Sequence, residues 1–184
     1  MKRLAAQDGF GLIETLIALT MVNIALLALV ASLNAGAISL ARAGSESAAN
    51  SLAQEQLELY RAVGYSSIAL DAPTVSTVLA SDTTYACDEA LKVDLAGACA
   101  AGNRKTQTTI SCATPLPQSC QPTRTVTTAD GRDYRVDAYV VGEVPSVPSG
   151  TSARQVQVVT IVVRDGDNPA RELARLVSTF DSGL

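Results

Sequence analysis

The sequence predicts an α+β fold: one long N-terminal helix, apolar in its first half and amphipathic in its second, packed on a roughly four-stranded antiparallel sheet. Three observations predict it. Thr15 to Ala41 is a run of 27 residues without a single charge. No proline interrupts the chain between Phe10 and Pro73, so a helix begun near the N-terminus has nothing to stop it early. From Thr123 to Phe180 the pattern changes to short β-branched segments separated by turn signals.

Residues 1–9 are short and polar, with Lys2 and Arg3 as their cations. Positive charge ahead of an apolar span holds that end on the cytoplasmic side and sends the following domain outward. The uncharged run is about 40 Å long as a helix, enough to cross a bilayer. Ala35-Gly36-Ala37 offers a small-x-small triplet, but the run before it is too long for a secretory signal core. Glu14 also sits where such a core is most apolar, and a carboxylate there is costly and functional by default.

Residues 42–66 continue the helix with a different face. At 100° per residue, Ala48, Ala49, Leu52, Ala53, Leu57, Leu59, Tyr60 and Val63 share one side, with Gln56 intruding. Asn50, Ser51, Gln54, Glu55, Glu58 and Arg61 share the other. The helix is expected from Phe10 to about Val63, with Gly64 as its C-cap and Tyr65-Ser66-Ser67 as the exit.

Residues 67–184 form the outer domain. Its first part, 67–122, reads as a long connection rich in Ala, Ser, Thr and Pro, with short strands such as Thr106–Ser111. All four cysteines, Cys87, Cys99, Cys112 and Cys120, fall inside it. Their spacings of 12, 13 and 8 lack the close pairs of zinc sites, and the chain has no His to complete one. Two disulfides in an oxidising compartment are expected. Of three connectivities, Cys87–Cys99 with Cys112–Cys120 closes the shortest loops, holding residues 87–120; the sequence does not choose among them. A β-meander then occupies 123–180, with strands at Thr123–Thr128, Arg132–Val141, Arg154–Arg164 and Glu172–Phe180. Ala129-Asp130-Gly131 is a tight hairpin signal, and Asp165-Gly166-Asp167-Asn168-Pro169 closes the last hairpin. The valine-rich third strand is apolar on both faces and is expected inside the sheet.

The chemistry that remains is narrow. The net charge of −4 argues against nucleic acid, and the absence of His removes the commonest general base. No Gly-rich phosphate loop and no nucleophile–His pairing is present, and Asp165-x-Asp167 lacks the rest of a calcium loop. No enzyme, metal or cofactor is expected.

Gly9-Phe10-Gly11-Leu12-Ile13-Glu14-Thr15-Leu16-Ile17-Ala18-Leu19 resembles the class III signal of type IV prepilins and pseudopilins. The stretch from Ala48 to Tyr65 resembles the amphipathic helix of minor pilins, particularly the PilV type. The resemblance implies cleavage after Gly9 by a membrane prepilin peptidase, which removes residues 1–9 and methylates Phe10 as the new N-terminus. It implies that Glu14 pairs with a neighbouring subunit's amine during assembly, a pairing that offsets the desolvation of both charges. Residues 10–41 are then the membrane helix and later the filament core. The implied protein is a structural subunit of a type IV pilus. It is held single-pass in the inner membrane with its domain outside, and becomes extracellular on assembly. Its partners are the peptidase/methylase, other pilin subunits and the inner-membrane assembly platform. Gly11 replaces a more usual Thr or Ser, and the mid-helix Pro of many major pilins is missing. A type II secretion pseudopilin and a membrane-anchored extracytoplasmic binding domain that keeps residues 1–9 remain alternatives. Beyond Ser67 the resemblance is one of architecture, and no surface motif selects tip initiation, adhesion, DNA uptake or spacing as the domain's task.

Overall fold

The computed structural model describes residues 11–93, 101–129, 131–144 and 155–182. Within them the fold is the α+β arrangement expected: a long N-terminal helix and a four-stranded antiparallel sheet. Helix α1 runs Leu12–Arg61. It ends two residues short of the expected Val63. Gly64 is not a left-handed cap: its φ is −67° and its ψ 153°, and it opens the 3-10 turn Tyr65–Ser67. With the chain leaving α1 in extended backbone, a glycine's access to positive φ is not needed there.

The chain divides into two compact units, the first ending at Gly44 and the second beginning at Ser45. In the first, every described residue from Gly11 to Gly44 is exposed, and the helix is long and apolar enough to cross a membrane. The second unit therefore takes in the amphipathic end of α1 together with everything after it.

In that second unit Ala49, Leu52, Ala53, Leu57 and Tyr60 of α1 are buried against one face of the sheet. The strands are β3 (Thr123–Thr127), β4 (Asp133–Glu143), β5 (Val156–Asp165) and β6 (Glu172–Asp181), in that spatial order. All neighbours are antiparallel, with Val136 opposite Val163 and Val140 opposite Val159. Tyr134, Val136, Ala138 and Val140 alternate onto the α1 side with Val159, Ile161 and Val163. Each large side chain so buried contributes about 1.5–3 kcal/mol. Strand β5 lies inside the sheet as expected, since β4 and β6 flank it.

The β3–β4 and β5–β6 hairpins use the turn residues the sequence marks. Gly131 has φ +76°, the left-handed backbone that Asp-Gly turns favour, and the Thr128 amide donates to the Arg132 carbonyl across 3.0 Å. The Gly166 amide donates to the Asp133 carbonyl across 2.9 Å, and a Cβ there would lie 2.6 Å from that same oxygen. Only glycine permits this approach.

The connection 67–122 is more ordered than its composition suggests. Helix α2 (Ala72–Ser81) starts on the Asp71 side chain, which accepts from the Thr74 amide; α3 (Thr83–Ala86) starts on Asp82, which accepts from the Tyr85 amide. Strand β1 (Leu70–Asp71) pairs in parallel with β2 (Thr109–Ile110), the only part of Thr106–Ser111 that is strand. Gln107 bridges to Val141 and the Thr108 amide donates to the Val140 carbonyl, so this pair prolongs the sheet where β3 has ended.

Candidate functional site

Glu14 lies in the first turn of α1, exposed. Its amide donates to the Gly11 carbonyl across 2.9 Å, and Thr15 reaches the same oxygen across 3.2 Å. Gly11 is therefore the N-cap, and it has no side-chain oxygen to accept from the free amides of the first turn. A carboxylate three residues on stands in the favourable field of those amides. Gly9 and Phe10, the expected cleavage and methylation residues, lie outside the described residues, and so does Cys99.

Cys112 and Cys120 are joined in a disulfide. Cys87 is disulfide-bonded too, while its expected partner Cys99 is the residue not described. The Cys112–Cys120 loop is tied to α1 through Gln56, which is fully buried. The Gln56 Nε2 donates to the Gln118 carbonyl across 3.2 Å, and its Oε1 accepts from the Arg124 Nε of β3 across 3.1 Å. The amide that intrudes on the apolar helix face thus joins three elements. Burial pushes the neighbouring Tyr60 hydroxyl well above its ordinary pKa, against the pull of Gln56 and the Arg124 charge.

The far face of the sheet holds an arrangement the sequence reading did not anticipate. Alternation along β4 puts Arg135 and Asp137 on the face away from α1, and there Asp137 is fully buried. Helix α3 and the 3-10 turn Glu89–Leu91 cover this side, where the Tyr85 ring stacks on Tyr139 at 4.5 Å and its hydroxyl donates to the Ala138 carbonyl across 2.7 Å. Beside the rings lies an ionic cluster. Asp137 accepts from Arg135 Nε across 2.8 Å and from Arg164 Nε across 3.1 Å. Asp88 pairs with Arg164 Nη2, and accepts from both Arg175 terminal nitrogens across 3.0 and 2.9 Å. Arg135 also pairs with Asp82 at 2.5 Å. Register explains the need for these acids. It sets Arg135 directly opposite Arg164, a like-charge pair that destabilises a sheet unless carboxylates stand between.

Burial raises the Asp137 carboxyl above the ordinary carboxylate range, only partly opposed by Arg135 and Arg164. Burial also works to raise Asp82, but there the Tyr85 amide and Arg135 prevail and the carboxyl ends below its usual value. Each of the three carboxylates is held by a guanidinium, so the cluster clamps α3 and the following turn to β4, β5 and β6. Paired strands, rather than spacing along the chain, bring these residues together; only a strand alignment putting two arginines side by side could have signalled it.

Among the described residues no group of His, Cys, Asp or Glu is placed to hold a metal ion. The chain matches no family model, no curated protein and no solved structure.

Proposed function

We propose that this chain is a structural subunit of a type IV pilin-like filament, a minor pilin of the PilV type. It is held in the inner membrane with its second unit outside, cleaved after Gly9 and drawn into a filament through α1. One observation carries the reading: Gly9-Phe10 and Glu14 open an uncharged apolar run whose helix continues, without a break, into a domain built on a four-stranded antiparallel sheet. A plain anchor needs the apolar run but not the Gly-Phe step or the carboxylate. The disulfide in the domain supports an oxidising compartment for it. In assembly, Glu14 neutralises the Phe10 amine of a neighbour while the apolar run exchanges lipid for sister helices. The partners are the peptidase/methylase, the assembly platform and other pilin subunits.

N-terminal sequencing of the membrane-extracted protein tests the reading. A chain beginning at N-methylated Phe10 is expected; one beginning at Met1 makes it a simple anchor. Glu14→Ala should still insert and be cleaved but fail to enter filaments, and normal incorporation sinks the assigned role. Loss of surface filaments rather than of protein secretion on deletion separates a pilus from a secretion pseudopilus.

A further inference from the structure

The apolar part of α1 has two different sides. Plotted at 100° per residue, Leu16, Leu19, Asn23, Leu27, Val30 and Asn34 fall on one seam at spacings of three and four, opposite Glu14. All six are exposed. Centring the 27 uncharged residues on a hydrocarbon core of about 30 Å puts both asparagines inside it.

The polar groups of this helix are not equally satisfied. The Thr15 and Thr20 hydroxyls donate into their own helix, to the Leu12 and Ile17 carbonyls across 2.9 and 2.8 Å. Asn23 places one N–H on the Leu19 carbonyl across 2.9 Å, leaving its Oδ1 and second N–H without a partner among the described residues. The Asn34 carboxamide has no partner among them. An unpaired amide in hydrocarbon costs a few kcal/mol, so these groups call for partners from outside the chain.

We propose that the occupant of this seam is a second copy of the chain, with Asn23 and Asn34 as the two polar rungs of a parallel helix pair in the membrane. A carboxamide both donates and accepts, so it complements its own copy. Copies of one single-pass chain insert in one orientation, so each residue meets its counterpart at the same depth. The two rungs are about 16 Å apart along the axis and within about 20° around it, which fixes register and rotation together. Leu27 and Val30 fill the turns between, and the buried Asn sets pairing as it does in a two-stranded coiled coil. The Glu14 side stays uncovered and open to further neighbours. The proposal rests on the membrane part of the reading above and not on cleavage after Gly9.

The test uses full chains carrying donor or acceptor dye at the C-terminus, in phosphatidylethanolamine/phosphatidylglycerol vesicles. Energy transfer is followed against protein-to-lipid ratio. Wild type should pair above the random-proximity level. Asn23→Leu/Asn34→Leu, which remains fully insertable, should pair about tenfold more weakly or worse. Asn23→Val with Val22→Asn keeps composition but turns the rung about 100° off the seam, and should also weaken pairing. Glu14→Gln should pair like wild type. Wild-type transfer at the random level, or undiminished transfer in the double-leucine variant, overturns the proposal. Mass spectrometry of membrane-extracted chain reads the N-terminus separately. An uncleaved chain that pairs sinks only the filament reading, and a cleaved chain that does not pair sinks only this one.

Discussion

Arg124 of β3 donates from its Nε to the Oε1 of Gln56 on α1 across 3.1 Å, fastening the spine helix to the edge of the sheet. The other end of the same amide holds the Gln118 carbonyl beside the Cys112–Cys120 bridge. Gln56→Leu preserves volume but leaves a buried guanidinium nitrogen and a carbonyl unpaired. The expected loss is about 1–3 kcal/mol. Urea unfolding of the chain in detergent, followed by tyrosine fluorescence since Trp is absent, measures it; an unchanged midpoint contradicts the role.

Asp88 is the pivot of the ionic cluster, because Arg164 and Arg175 both end on it. Asp88→Ala leaves Arg164 only Asp137 and Arg175 only Glu172 as carboxylate partners, and it unpairs the Arg164 Nη2 of a residue only 6% exposed. Removing one partner of a buried pair costs about 3 kcal/mol or more. Glu58→Ala, which breaks the exposed Glu58–Arg61 pair, should cost well under about 1 kcal/mol. Equal midpoints for the two variants would show that the cluster clamps nothing.

Gly166 and Gly131 both sit in hairpin turns but answer to different constraints. Gly166→Ala drives a Cβ against the Asp133 carbonyl and should cost about 1–3 kcal/mol, more than Gly131→Ala, where space is open and only positive φ is strained. Thermal unfolding of both variants ranks them; the reverse order refutes the assignment.

Two helix-capping acids carry a pH dependence. The Thr74 hydroxyl, donating across 2.6 Å, holds the Asp71 carboxyl below the ordinary range, helped by the amides of Cys112 and Thr74 against some desolvation. Asp82 is lowered as well: desolvation raises it but is outweighed by the Tyr85 amide and Arg135. A carboxyl with a folded pKa below its unfolded value of about 3.9 contributes stability that is complete above about pH 4. That contribution disappears as the pH falls through the lowered folded values. Asp71→Asn/Asp82→Asn should therefore flatten the acid limb of stability below about pH 4, while Asn keeps both caps. Urea midpoints between pH 7 and pH 2.5 test it; limbs that run parallel in both proteins count against the linkage.

The Cys112–Cys120 bridge closes a short loop, sequence separation 8, worth about 2–3 kcal/mol in chain entropy. Cys112→Ser/Cys120→Ser should lower the urea midpoint by that equivalent in oxidising buffer, and an unchanged midpoint argues against it.

What the sequence made legible follows from which interactions are local. The uncharged run, the amphipathic face from Ala49 to Tyr60 and both Gly-containing turns depend on residues a few positions apart, and each is where periodicity and turn chemistry put it. Gln56 was visible only as an intruder, because its partners are 62 and 68 positions away. Helices α2 and α3 were lost in a segment weak in hydrophobic pattern. Their signals were caps, Asp71 with a proline just behind it and Asp82, rather than a face. The cluster around Asp88 and Asp137 was invisible because strand pairing, 76 residues apart for Asp88 and Arg164, assembles it.

The shared core of α1 with β4 and β5 also imposes a timetable. Ala49 to Tyr60 leave the ribosome long before Tyr134 to Val163, the residues that cover them. At about 5–20 residues per second, that apolar stripe waits roughly 5–20 s for its sheet. Throughout that interval the stripe is uncovered apolar surface, the kind of surface through which incompletely folded chains associate.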